Sequence, residues 1–153
     1  PNLSPFNAWV VHKGLETLDL RARRQSENAL AVGRALEGRV PRILHPGLES
    51  HPQYALAQKQ MKMCGPIFSF FFDGGREQAM AFLNALELVD ISNNIGDARS
   101  LCCHPATTTH AGVSAEARAE MGVEDGMLRI NIGLEDPIDL IADMEQALTR
   151  VGL

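Results

Sequence analysis

Residues 66–72 read PIFSFFF, a run too apolar and aromatic to be anything but a mostly buried strand, and Asp73-Gly74-Gly75 ends it. On either side, apolar positions switch repeatedly between helical and extended spacing. Ser4 before Pro5 supplies an N-cap and a first-turn proline, and Phe6, Trp9 and Val10 follow at helical spacing. A second helix is predicted over 17–38, with Leu20, Leu30, Val32 and Leu36 offering apolar contacts and Gly38 closing it. VPRIL at 40–44 alternates and reads as a strand, the stretch GLESHP after it as a turn-rich loop, and PQYALAQKQM as a short helix. A helix is predicted from Arg76 to about Leu88, then strands at VDISNN (89–94) and SLCCH (100–104). A short helix SAEARAEMG, the strand MLRINIG (127–133) and a closing helix from Asp136 to Val151 complete the chain.

The predicted order is ααβαβαββαβα. Such a mixture, with two strands adjacent in sequence, points to an α+β fold: a small, mainly antiparallel sheet covered by helices on one face. The 153 residues, 45% of them hydrophobic, suffice for one core, so a single domain over 1–153 is expected. No repeat, low-complexity tract or linker interrupts it.

A net charge of −5 argues against a nucleic-acid partner, which would need clustered Lys and Arg; the one dense basic run, RARR at 21–24, falls within a helical pattern. No apolar run approaches the roughly 20 residues of a membrane helix. Three cysteines, two of them adjacent, make no disulfide framework and suit a reducing compartment, so a cytoplasmic location is expected. The chain begins with Pro1, and is expected to be a piece of a longer protein.

The stretch RSLCCHPATTTHAG (99–112) concentrates candidate chemistry. On a strand, Cys102 and Cys103 point to opposite faces and do not share one ion, and His104 and His110 would stand about 20 Å apart unless the chain reverses at Pro105. No CxxC spacing or acidic third ligand supports a metal, and adjacency in sequence does not place a thiolate against its base. No metal site is expected. Gly74-Gly75 lacks the pattern of a phosphate loop and reads as a tight turn. Asp136, before Pro137 and three residues ahead of Asp139, reads as an N-cap with dipole-complementing charge rather than catalytic acid. Met61, Met63 and Cys64 read as packing material.

Arg129 is less easily placed. Leu128, Ile130 and Ile132 occupy one face of its strand, leaving Arg129 on the other with Met127 and Asn131. Such an arginine lies on a solvated face, or offers its fork of donors to a carboxylate.

Three segments resemble one family: LSPFNAWVVHKGLETLDLR near the start, HPATTTH at 104–110, and GVEDGMLR at 122–129 followed by GLED at 133–136. They are similar to the C-terminal third or so of the Cys/Met-metabolism pyridoxal-phosphate enzymes. This group includes cystathionine γ-synthases, cystathionine and methionine γ-lyases and O-acylhomoserine sulfhydrylases. The resemblance implies the small C-terminal domain of a fold-type I pyridoxal-phosphate transferase. It further implies that HPATTTH lies near the substrate site, and that Arg129 binds the substrate's α-carboxylate. Asn94 stands where the family usually has a serine that helps orient the cofactor lysine and substrate. The pair Asn93-Asn94 is most similar to the bacterial sulfhydrylases that use O-succinylhomoserine. The implied reaction is γ-replacement, in which the cofactor acts as an electron sink, succinate leaves Cγ and sulfide adds to give homocysteine. A γ-synthase or γ-lyase on the same fold, and a free-standing binding or assembly domain, are the alternatives.

The family's cofactor lysine, its pyridinium-facing aspartate, its ring-stacking tyrosine and most of its phosphate-binding residues belong upstream of LSPFNAW. The three lysines here, Lys13, Lys59 and Lys62, lie outside the family's lysine context. No catalytic or cofactor-binding residue is therefore expected in this chain, which alone should be inactive. Its expected partners are an N-terminal domain that binds pyridoxal phosphate and, in the intact enzyme, further copies in a homotetramer.

Overall fold

A computed structural model describes residues 2–153. Its elements run α1 (Pro5–Glu16), α2 (Leu18–Leu36), β1 (Arg42–Leu44), α3 (Tyr54–Gln60), β2 (Ile67–Phe71), α4 (Gly75–Ala85), β3 (Asp90–Ile91), β4 (Leu101–Cys103), α5 (Ala115–Glu120), β5 (Met127–Asn131) and α6 (Pro137–Arg150), with a single 3-10 turn over Pro105–Thr107. The order is the one predicted from periodicity. The strands form one sheet in the order β1-β2-β5-β4-β3, antiparallel throughout except for β3 and β4. The two strands adjacent in sequence are thus the parallel pair, and the antiparallel character comes from β5, which lies between β2 and β4.

One sheet face makes the core. Phe68 and Phe70 of β2, Leu128 and Ile130 of β5 and Cys102 of β4 are fully or almost fully buried there with residues of α2, α4 and α6. Phe70, Phe72 and Phe82 stack edge-on or tilted with centroids 5.2–5.7 Å apart, a geometry that adds to their area burial. Helix α6 shows why the pattern worked. Asp136 caps it by accepting from the Ile138 N–H, Pro137 opens the first turn, and Leu140, Met144, Ala147 and Leu148 bury one helical stripe.

Several boundaries differ from expectation. Leu20 is 68% exposed because the first turns of α2 lie outside the core, as does all of α1, which buries none of its residues. The strand predicted over 89–94 shrinks to Asp90–Ile91. Beyond it Ser92 Oγ accepts from the Asn94 N–H and Gly96 takes a left-handed φ of 81°, which ends extended pairing. Met61, Met63 and Cys64 are not core residues: Met61 is exposed, and with Leu30, His45 and Tyr54 all three line a cleft of about 250 Å³. Gly74-Gly75 is the expected tight turn, with the Gly75 N–H bonded to the Phe72 carbonyl.

Candidate substrate-carboxylate site

The other face of β5 carries Arg129, half-buried between Ser69 of β2 and Cys103 of β4. Both neighbours are small, so the long side chain lies across the sheet. Its Nη2 donates to the Asn93 carbonyl at 2.8 Å. Among the described residues no carboxylate forms an ion pair with Arg129, whereas seven ion pairs engage other arginines and Lys13. A guanidinium held by one neutral acceptor keeps most of its donors for an anion, and a carboxylate matches that fork bidentately.

Two residues further along, Asn131 is 1% exposed and its Oδ1 accepts from the Gly96 N–H at 3.2 Å. The loop carrying Asn94 is therefore tied to β5 by two side chains. It is also tied to α2, where Gln25 Nε2 donates to the Asp97 carbonyl at 2.6 Å, and to the segment after β5, where the Leu134 N–H bonds to the Ala98 carbonyl at 2.8 Å. Asn94 follows directly on the Asn93 carbonyl that Arg129 binds, and its own N–H bonds to Ser92 Oγ. Sequence reasoning singled out Arg129 and Asn94 as candidates and gave no role to Asn131, whose signal was only a polar residue sharing the arginine's strand face.

A second buried network fixes the other end of the loop. Glu135 accepts from the Ser100 N–H at 2.7 Å and from Ser100 Oγ at 2.8 Å, and the Ser100 hydroxyl accepts from the Gly133 N–H at 2.8 Å. Asn28 Nδ2 donates to the carbonyls of Gly133 and Glu135. A Cβ at Gly133 would collide with the Ala98 carbonyl and the Glu135 carboxylate, so the close approach requires glycine.

In the cysteine-histidine stretch the side chains are mostly buried and bonded within the chain. Cys102 faces the core and Cys103 the arginine side, as strand alternation requires. Burial pushes the Cys102 thiol far above its ordinary pKa, and the neighbouring Cys103 adds to the effect. His104 is 2% exposed; its Nε2 donates to the Asp125 carbonyl at 2.7 Å and its Nδ1 pairs with Thr107 Oγ1 at 2.9 Å. The carbonyl only accepts, so Nε2 carries the proton. The chain does reverse at Pro105, where the His110 N–H bonds to the Pro105 carbonyl at 2.9 Å, yet the His104 ring stays within its own contacts. No group of three His, Cys, Asp or Glu side chains suited to a metal occurs among the described residues.

The sequence matches the model of the Cys/Met metabolism PLP-dependent enzymes over residues 1–149, and the chain belongs to that family. Particular relatives narrow the comparison. It is 46% identical to O-succinylhomoserine sulfhydrylase of Mycobacterium tuberculosis over 97% of its length, and 45% identical to that of Pseudomonas aeruginosa over 99%. It is 41% identical to L-methionine gamma-lyase of Treponema denticola over 97%. A crystal structure of cystathionine gamma synthase from Xanthomonas oryzae pv. oryzae in complex with aminoacrylate and cysteine superposes with a TM-score of 0.91 at 42% identity, covering 97% of this chain and 39% of that one. The chain spans 38% of the length of each of these three curated relatives.

The residues present do not make a covalent site for the family's cofactor. Such a site needs a sheltered lysine beside a phosphate cradle. Lys13 pairs with Glu16 on exposed α1, Lys59 lies in the last turn of α3 on the surface, and Lys62 is exposed beside the cleft. What this chain offers is an arginine without a carboxylate partner among the described residues and the loop that holds it.

Proposed function

We propose that this chain is the substrate-carboxylate-binding part of an O-succinylhomoserine sulfhydrylase, a cytoplasmic enzyme of methionine biosynthesis that makes homocysteine. In the overall conversion the Cγ–O bond of O-succinylhomoserine breaks, sulfide forms a Cγ–S bond, and succinate leaves. The observation that carries the reading is Arg129, held at the middle of β5 by the neutral Asn93 carbonyl and ion-paired with no carboxylate among the described residues. Binding energy spent on the amino-acid carboxylate there fixes the reacting atoms elsewhere on the substrate. The Asn93-Asn94 pair, and the identity to two sulfhydrylases over nearly the whole chain, support this branch of the family. The cofactor-binding part then belongs to the remainder of the polypeptide, in a homo-oligomer. Exposed Phe6, Trp9 and Leu15 on α1 are the surface we assign to that remainder.

Assay of the full-length protein tests this reading. O-succinylhomoserine should be converted faster with sulfide than with cysteine, and methionine and cystathionine should be poor substrates. Preference for cysteine would instead identify a γ-synthase, the name carried by the superposed Xanthomonas oryzae structure. Efficient cleavage of methionine or cystathionine would identify a γ-lyase. The 153-residue chain alone, titrated with pyridoxal phosphate, should give no saturable absorption band, show no turnover, and self-associate through α1.

A further inference from the structure

Arg129 and Asn131 project from the same face of β5 and hold one loop at two points. The arginine binds the Asn93 carbonyl and the asparagine the Gly96 N–H. Between those tethers lie only Asn94 and Ile95, and Ile95 is 53% exposed. Gly96 is left-handed at φ 81°, so its N–H reaches Asn131 in a conformation that most residues avoid.

The amide of Asn131 has a defined orientation. Gly96 N–H is a donor, so the atom that receives it is the oxygen and the other is Nδ2. Nδ2 is buried and finds no acceptor among the described residues. An unmade hydrogen bond of this kind is a burden that an apolar side chain of equal size would not carry. The compensating feature is the bond to Gly96, which no apolar residue would make.

We propose that Asn131 is a positioning residue for substrate binding: its bond to Gly96 fixes the 93–96 turn, so that the Asn93 carbonyl orients the Arg129 guanidinium and Asn94 is held beside it. This rests on Arg129 binding the α-carboxylate. The mechanism is preorganisation. With the turn fixed, the guanidinium meets the carboxylate without first ordering the loop; with it free, that ordering is charged against each binding event. The effect falls on substrate affinity more than on the chemical step.

The test uses the full-length enzyme and three measurements. Amide exchange in the unaltered protein should show Gly96 protected relative to the exposed Ile95. Asn131→Leu, which removes the acceptor and the orphaned donor together, should speed exchange across 93–96 and raise KM for O-succinylhomoserine about tenfold, with a smaller change in kcat and an unchanged cofactor spectrum. Arg129→Lys in parallel separates the two readings. If Arg129→Lys leaves KM unchanged, the carboxylate assignment itself fails. If Arg129→Lys raises KM while Asn131→Leu alters neither KM nor loop exchange, only the positioning role is overturned. Should Asn131→Leu not fold, an unprotected Gly96 amide in the unaltered enzyme overturns it alone.

Discussion

Arg129 Nη2 donates to the carbonyl of Asn93 at 2.8 Å, so the side chain of one strand is held by the backbone of a loop 36 residues earlier in sequence. The partner is a neutral acceptor that orients the guanidinium without neutralising it. That difference separates an arginine available to an anion from one consumed in a surface ion pair, such as Arg99 with Asp90 at 2.9 Å.

Replacing Arg129 by lysine keeps the charge but loses the planar fork. In the full-length enzyme Arg129→Lys should raise KM for the amino-acid substrate by about tenfold or more, leaving cofactor absorption unchanged. Steady-state kinetics checks it, and an unaltered KM would remove Arg129 from the substrate site.

The cysteines should sort by burial. Cys102 and Cys103 are 0% and 1% exposed, and burial holds the Cys102 thiol protonated, while Cys64 is half-buried at a cleft. Iodoacetamide should modify Cys64 in the native protein and the other two only in denaturant, as read by peptide mapping. Changing Cys102 and Cys103 to Ser or Ala should cost about 1–3 kcal/mol of stability without altering the chemistry of turnover.

Asp143 was hidden among the acidic residues of the last helix. Its carboxylate accepts from the N–H groups of Glu87, Leu88 and Val89 at 2.8, 3.0 and 3.1 Å, joining α6 to the chain that leaves α4. Asp143→Ala orphans three donors and should destabilise by roughly 2–4 kcal/mol, more than Asp143→Asn, which keeps an acceptor. Urea unfolding of the two variants decides the order.

His45 should make stability depend on acidity. It is 1% exposed, its Nδ1 accepts from the Gly47 N–H, and burial depresses its pKa, although the bond from Nε2 to the Gly65 carbonyl opposes the shift. The unfolded chain therefore takes up this proton first as pH falls. Its contribution is fully present above about pH 6.5 and is lost as pH drops from there toward the depressed folded value. His45→Gln should flatten that part of the stability profile, by at most about 1.4 kcal/mol per pH unit. Unfolding curves at neutral and mildly acid pH measure it.

Element order and the identity of the core face were legible in the sequence because both follow from local periodicity. The alternation in MLRINIG separated Arg129 from Ile130, and Asp136-Pro137 marked the start of α6. The family motifs added the roles expected of Arg129 and Asn94. Tertiary structure decided what periodicity cannot encode. The contacts of Arg129 with Asn93, Asn131 with Gly96, and Asp143 with three amides span 36, 35 and 54–56 residues. Each depends on which strands become neighbours, and β5 at the centre of the sheet, with β3 parallel at its edge, was not implied by the strands' own patterns. The strand expected over 89–94 ends at Ile91, because Ser92, Asn93 and Asn94 favour a local turn over extension and Gly96 takes a left-handed φ. What the tertiary structure added is the partners of that turn, the Asn93 carbonyl and the Gly96 amide bonding to side chains of a distant strand.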